Sequence, residues 1–341
     1  MSFRLEESRW VRWPRRAVSV PAVLGLLVAV AAGLPLWLAL AALADLASGG
    51  ARRRWPIVRS VGLLLGYLWW TSFGFVSGAV ITLFSLRAPR DVYLRRLFRL
   101  QQIWARGLFN AARRSLSLRV HVEEGFVPDE QPILLFVRHA SIVDVLLPAV
   151  FLSGPHDVLL RYVMKREVLF DPAIDIVGQR LENVFVSRGK GSADREERAI
   201  RSLASGLGAR EGVIVFPEGT RYSDAKRADS LARIRASGDA ERLARASLLR
   251  HVLPPRSRGP LAVLDEAKHA DVIFLAHRGF DGAAGVRDLL RGTLIGRAIE
   301  LKTWRVPRAQ VPVDREACLV WLDNEWARID AWIASRIAAE Q

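Results

Sequence analysis

The chain has 341 residues, enough for one large domain or two with ample core, and 51% of them are hydrophobic. Its formal net charge of +15 favours polyanionic partners: nucleic acid, anionic lipid or phosphorylated substrates. The sole cysteine, Cys318, excludes an intrachain disulfide, and without paired metal-binding cysteines or an aromatic RNP-type strand no nucleic-acid module is expected.

The apolar excess lies before residue 87. Arg4, Arg9, Arg12, Arg15 and Arg16 alternate with Trp10 and Trp13, partly offset by Glu6 and Glu7, as in a segment lying among lipid headgroups. Residues 17–44 carry no charge. At ~1.5 Å per residue they can cross a ~30 Å hydrocarbon core with some tilt, and Pro21 and Pro35 are expected to kink them. The stretch is too long for a signal peptide core, and a second one follows closely. Arg52, Arg53 and Arg54 form a basic turn, and residues 60–86 are again uncharged. Two such stretches make a membrane hairpin over residues 1–90. Its basic flanks favour the cytoplasmic side, whereas the basic turn speaks against a full crossing, so spanning and re-entrant hairpins both stand.

Residues 91–117 read as an arginine-rich amphipathic helix on the membrane surface. Leu118, Val120 and Val122 alternate as in a strand. From there to the C-terminus, strand-like runs alternate with helical ones. Strands are expected at residues 133–137, 158–164, 213–216 and 271–277 and from Val184, and helices at residues 173–178 and 194–207. This is the pattern of an α/β domain with a largely parallel sheet flanked by helices, whose loops at the strand carboxyl ends gather the site. The domain is expected over residues 91–341, with a basic helical insert near 224–250. Asp314 should cap a final helix in which Cys318, Leu322, Trp326, Ile329 and Ile333 form one apolar stripe.

Three strand ends carry chemistry. The run Ile133-Leu134-Leu135-Phe136-Val137 stops at Arg138-His139. Ser141 stands three residues before Asp144, a capping-box-like helix start, so Asp144 can turn back to orient one imidazole nitrogen and leave the other as a base. The run Val184-Phe185-Val186 ends at Ser187-Arg188, with Lys190 between two glycines. The run Val213-Ile214-Val215 continues as Phe216-Pro217-Glu218-Gly219-Thr220-Arg221. A serine nucleophile at Ser141 is the rival chemistry, but no Gly-x-Ser-x-Gly elbow is present and an N-cap role accounts for the hydroxyl. The remaining histidines show no ligand spacing and there is no phosphate-binding Gly-x4-Gly-Lys-Ser/Thr loop, so neither a metal nor nucleotide hydrolysis is expected.

The His-x4-Asp box, the Phe-x-x-Arg box at Phe185–Arg188 and the Phe-Pro-Glu-Gly-Thr-Arg box, in that order, resemble the glycerolipid acyltransferase family, most nearly its 1-acylglycerol-3-phosphate O-acyltransferase branch. The resemblance runs from about residue 133 to 333. It implies direct acyl transfer from a thioester, acyl-CoA or acyl carrier protein, to the free hydroxyl of 1-acylglycerol-3-phosphate, forming phosphatidic acid, with no cofactor. His139 is then the base and Asp144 its orienting partner. Arg188 and Arg221 clamp the acceptor phosphate with help from Lys190, Gly219 lets the backbone approach the ligand, Thr220 donates its hydroxyl, and Glu218 holds an arginine or the acceptor's free hydroxyl. A cytosolic donor puts the catalytic domain on the cytoplasmic face of an anionic bilayer. Two alternatives remain: an acyltransferase acting on another lysophospholipid or phosphorylated lipid acceptor, or a non-catalytic membrane-binding protein on the same fold. The family's proline-containing fourth box is absent, with Val272-Ile273-Phe274-Leu275 in its place.

Overall fold

A computed structural model describes residues 7–123, 129–186, 193–283 and 285–340. In chain order the principal elements begin with helices α1 (Arg9–Ala32), α2 (Leu34–Ala47), α3 (Pro56–Phe84) and α4 (Arg90–Ser115). Then come strands β1 (Arg119–Val122), β2 (Ile133–Val137), β3 (Leu159–Lys165) and β4 (Val184–Val186), and helix α5 (Ala193–Ala204). Strand β5 (Glu211–Val215), helices α6 (Asp224–Ala236), α7 (Ala240–Leu248) and α8 (Arg258–Glu266), strands β6 (Asp271–Arg278) and β7 (Ala298–Val306) and helix α9 (Arg315–Ala338) complete the chain.

The chain divides into two compact units. One comprises Met1–Arg119, Leu146–Leu203 and Arg287–Arg297. In it the uncharged stretch 17–44 is two helices rather than one, broken at Gly33, with proline at the start of α2. Asp45 is fully buried because its carboxylate caps α3, accepting from the N–H groups of Ile57 and Val58, both at 3.0 Å. Small residues let α3 and α4 lie close: Gly66 meets Ala111, Gly107 meets the Trp70 ring, and Gly74 meets Trp104. The same helix touches Ala173 and Val177 through Gly74 and Gly78. The Asp175 carboxylate, wholly buried, is neutralised by Arg15 at 2.8 Å and Arg16 at 3.0 Å, which pins the start of α1. In this unit β3 and β4 pair in parallel.

The other unit comprises Val120–Val145, Ala204–Val286 and Ala298–Gln341 and carries the strand order β1-β7-β6-β2-β5. β2 lies between β5 and β6 and is parallel to both. Burial on both faces explains why its side chains are apolar without alternation, and β6 is buried along its whole length for the same reason. β7, which sequence periodicity did not reveal, pairs antiparallel with β6. The expected insert near 224–250 is two helices, α6 and α7, separated at Gly238, whose φ of +79° suits glycine. Asp314 caps α9 by accepting from the N–H of Ala317 at 2.9 Å, and the stripe from Cys318 to Ile333 is buried.

Candidate active site

β2 carries the chain to Val137, opposite Leu275 of β6, and the N–H of Arg138 adds one more rung to the Leu275 carbonyl at 3.2 Å. There the backbone leaves the sheet. His139 sits on the turn, its side chain 18% exposed, while Asp144 is fully buried. Imidazole Nδ1 lies 3.0 Å from Asp144 Oδ1. The second oxygen, Oδ2, accepts from the main-chain N–H groups of Ala140 at 2.6 Å and Ser141 at 2.7 Å. A carboxylate holding two main-chain donors is fixed, and a fixed Oδ1 takes the Nδ1 hydrogen. Nε2 is then the basic nitrogen. Burial pushes the Asp144 carboxyl up. The hydrogen bonds from His139 and His277 outweigh that, and the group lies well below the usual carboxylate range.

The helix expected after Ser141 does not start there. Asp144 opens a single 3₁₀ turn, Asp144–Leu146. Ser141 Oγ donates to the Ala283 carbonyl at 2.9 Å and accepts from the Val143 N–H at 3.3 Å. The hydroxyl is buried and engaged, so the arrangement gives the nucleophile reading no attacking group.

The second turn follows β5 and wraps the histidine. The Phe216 ring lies 4.6 Å, centroid to centroid, from the imidazole. Gly219, at φ +66°, turns the chain and donates to the Phe216 carbonyl at 2.9 Å. The N–H of Tyr222 reaches the His139 carbonyl at 2.8 Å. Glu218 was expected among the substrate-binding residues, yet it is only 2% exposed and gives both oxygens to the main chain. Oε1 accepts from the His139 N–H at 2.9 Å and Oε2 from the Leu253 N–H at 3.0 Å. Its place is that of a strut between His139 and the 253–256 segment. Burial pushes its carboxyl up to about 8, opposed by the Arg138 charge and the two main-chain donors. Thr220 and Arg221 are half-buried on the same turn, and the Arg221 carbonyl accepts from Lys226 Nζ at 3.1 Å. Arg256 joins them: its N–H donates to the Pro217 carbonyl at 2.8 Å and its side chain lies against Gly219. Arg188 and Lys190 lie outside the described residues.

Arg138, which sequence reasoning passed over, is fully buried. Its guanidinium holds the carbonyls of His277 at 2.8 Å and His251 at 2.7 Å and pairs with Asp281. His251 is itself fixed from α9, where Asp330 accepts from the N–H groups of Arg250, His251 and Val252 at 2.9, 2.6 and 3.2 Å. The signal for Arg138 was a cation directly after an apolar run buried on both sides, where only a paired charge is tolerated. Among the described residues no group of three or more His, Cys, Asp or Glu side chains could hold a metal ion.

A largely parallel sheet with a histidine–carboxylate pair at one strand end and a Glu-Gly-Thr-Arg turn at the next defines an acyltransferase-type domain. Residues 118–255 match the family model described as Acyltransferase. It is 28% identical over 209 residues to the mouse (Mus musculus) 1-acyl-sn-glycerol-3-phosphate acyltransferase epsilon. That match covers 58% of this chain and 56% of the mouse protein, so the chain spans about half the length of this curated relative. Among solved structures it is similar to the 1-acyl-sn-glycerophosphate acyltransferase PlsC from Thermotoga maritima, with a TM-score of 0.54 at 17% identity, covering 81% of this chain and 98% of that one. At that identity the likeness shows the fold.

Proposed function

We propose that this chain transfers an acyl group from an acyl thioester, acyl-CoA or acyl carrier protein, to the free hydroxyl of 1-acylglycerol-3-phosphate, forming phosphatidic acid. The observation that carries this reading is the 3.0 Å contact between His139 Nδ1 and an Asp144 carboxylate locked by two main-chain donors. That pair holds Nε2 ready to take the hydroxyl proton as the oxygen attacks the thioester carbonyl. The tetrahedral adduct then expels the thiolate, which takes the proton back from the imidazolium. Asp144 stays ionised throughout and stabilises the imidazolium. The name of the curated relative, a 1-acyl-sn-glycerol-3-phosphate acyltransferase, supports the acceptor. Arg221, with Thr220 and Gly219 beside it, is assigned to the acceptor phosphate, and Arg188 and Lys190 share that task on the strength of the resemblance. No cofactor is invoked.

The same reading attaches the protein to a membrane through its N-terminal helices, with the catalytic domain on the cytoplasmic face. By length and composition α1 and α3 could each cross a bilayer. The packing favours a hairpin held in one leaflet. α4 runs antiparallel along α3, from Gly62 beside Ser115 to Thr82 at 3.0 Å from Tyr93. Arg95, Arg96, Arg99, Arg106, Arg113 and Arg114 are exposed along α4. An α3 that crossed would draw these into hydrocarbon, at roughly 2.5–3.5 kcal/mol for each one at the centre.

The test is an acceptor panel given to the purified full-length protein with one acyl-CoA, products read by mass spectrometry. Phosphatidic acid should form faster from lysophosphatidic acid than products form from lysophospholipids with a capped phosphate. Preference for a capped headgroup would move the acceptor, and transfer to none would remove the reading.

A further inference from the structure

β2 and β6 part company just where the candidate base is placed. Their ladder ends at Val137 opposite Leu275, with the Arg138 N–H as its last rung at 3.2 Å. Past that point the carbonyls of residues 138 and 277 have lost their strand partners in a buried region, where an unpaired carbonyl is costly. Each side chain answers the other's carbonyl. Arg138 Nη1 donates to the His277 carbonyl at 2.8 Å, and His277 Nε2 meets the Arg138 carbonyl at 2.9 Å. A carbonyl only accepts, so Nε2 carries the hydrogen. The same N–H faces Asp144 Oδ2 at 3.5 Å, the oxygen that already accepts from Ala140 and Ser141. Nδ1 of His277 is buried with no hydrogen-bond partner. The imidazole is fully enclosed, so one of its nitrogens is in use and the other is idle.

We propose that His277 is a positioning residue for acyl transfer, its Nε2–H fixing at once the peptide that leads into His139 and the Asp144 carboxylate that orients the base. This rests on the reading of His139 as that base. The peptide between residues 138 and 139 sets the direction in which the His139 side chain leaves the backbone. Asp144 sets the rotation of the ring about that direction. A single donor shared by both keeps them in step, and Arg138 closes the loop by holding His277 in return. His277 touches no reacting atom.

The test compares three replacements in the full-length protein. The amide nitrogen of Gln reaches the place of His Nε2, that of Asn reaches the place of Nδ1, and Leu has no donor. His277→Leu and His277→Asn should lower kcat by roughly 10–100-fold with both KM values within about twofold, the signature of a misplaced base rather than lost binding. His277→Gln should recover kcat to within about threefold of the parent. The inference is overturned if Leu keeps parental kcat, if Gln is as poor as Asn, or if the loss appears in KM. A parent that acylates no acceptor would overturn the functional reading instead. The lock is then judged by thermal unfolding: the fall in Tm caused by His277→Leu should shrink in an Asp144→Ala background. Additive falls in Tm would refute the link between the two side chains.

Discussion

Asp144→Asn changes one atom and should remove the base without removing the fold. The carboxylate holds one hydrogen bond to the ring, at 3.0 Å, and two from main-chain N–H groups, at 2.6 and 2.7 Å. An amide cannot satisfy both sides. If its NH₂ faces the main chain, two buried N–H donors meet a donor, at about 1–3 kcal/mol for each. If its oxygen stays there, both main-chain bonds survive and the NH₂ faces His139 Nδ1. The second arrangement is cheaper, because the partly exposed imidazole can exchange its tautomer through solvent. Nδ1 then becomes the acceptor and Nε2 carries a hydrogen, so no lone pair faces the hydroxyl. The expected loss in kcat is the general-base contribution, roughly 10²–10⁴-fold. The stability loss should stay near the ~1–3 kcal/mol that separates charge-assisted from neutral hydrogen bonds and their neighbours. Initial rates with acyl-CoA and lysophosphatidic acid measure the first, and denaturant unfolding in detergent the second. A variant that keeps more than about a tenth of parental kcat would refute the tautomer account. One that unfolds outright would show that the carboxylate is chiefly structural.

Arg221→Lys keeps the charge and loses the planar fork, so acceptor KM should rise while donor KM holds. Equal discrimination between lysophosphatidic acid and a phosphate-free acceptor in parent and variant would show that Arg221 binds something else. The raised Glu218 carboxyl, about 8 against an ordinary 4.5, means that the folded state holds its proton more tightly than the unfolded chain does. Its contribution is therefore complete below pH 4.5 and is lost as pH rises through 8, and Glu218→Gln should flatten the alkaline fall in Tm. Truncation to residue 91 should yield aggregates rather than a soluble enzyme, because Leu97, Leu100 and Phe109 of α4 are buried in the unit that α3 completes. A monodisperse truncated protein by light scattering would contradict that packing.

What was legible in the sequence follows the physics of each element. β2 was read residue for residue, because a strand buried on both faces is a bare apolar run with polar punctuation at its end. β7 was not, because its burial alternation slips between Leu301 and Trp304 and the period of two is lost. The break at Gly33 was masked by an apolar composition that runs straight through it. The contact between His139 and Asp144 was legible because it is local. His277 was not, because its partner at Arg138 lies 139 residues away and only the sheet brings them together. Glu218 was visible as part of a motif. Its role as a strut depends on Leu253, which no spacing rule connects to it.

The main-chain N–H and carbonyl of His139 and the carbonyl before it are all occupied. The His139 N–H goes to Glu218, its carbonyl to Tyr222, and the carbonyl before it to His277. The orienting carboxylate has its own two donors from the same turn. What this turn presents for reaction is a side-chain nitrogen on an immobilised backbone. On the proposed reading, selection of the acceptor falls to Thr220 and Arg221 on the neighbouring turn. Chemistry and selection should therefore separate in mutants. Substitutions at Asp144 and His277 should cost turnover for every acceptor alike, and those at Arg221 should cost some acceptors more than others. A base whose backbone was free to shift would couple the two, since each acceptor would then settle its own geometry at His139.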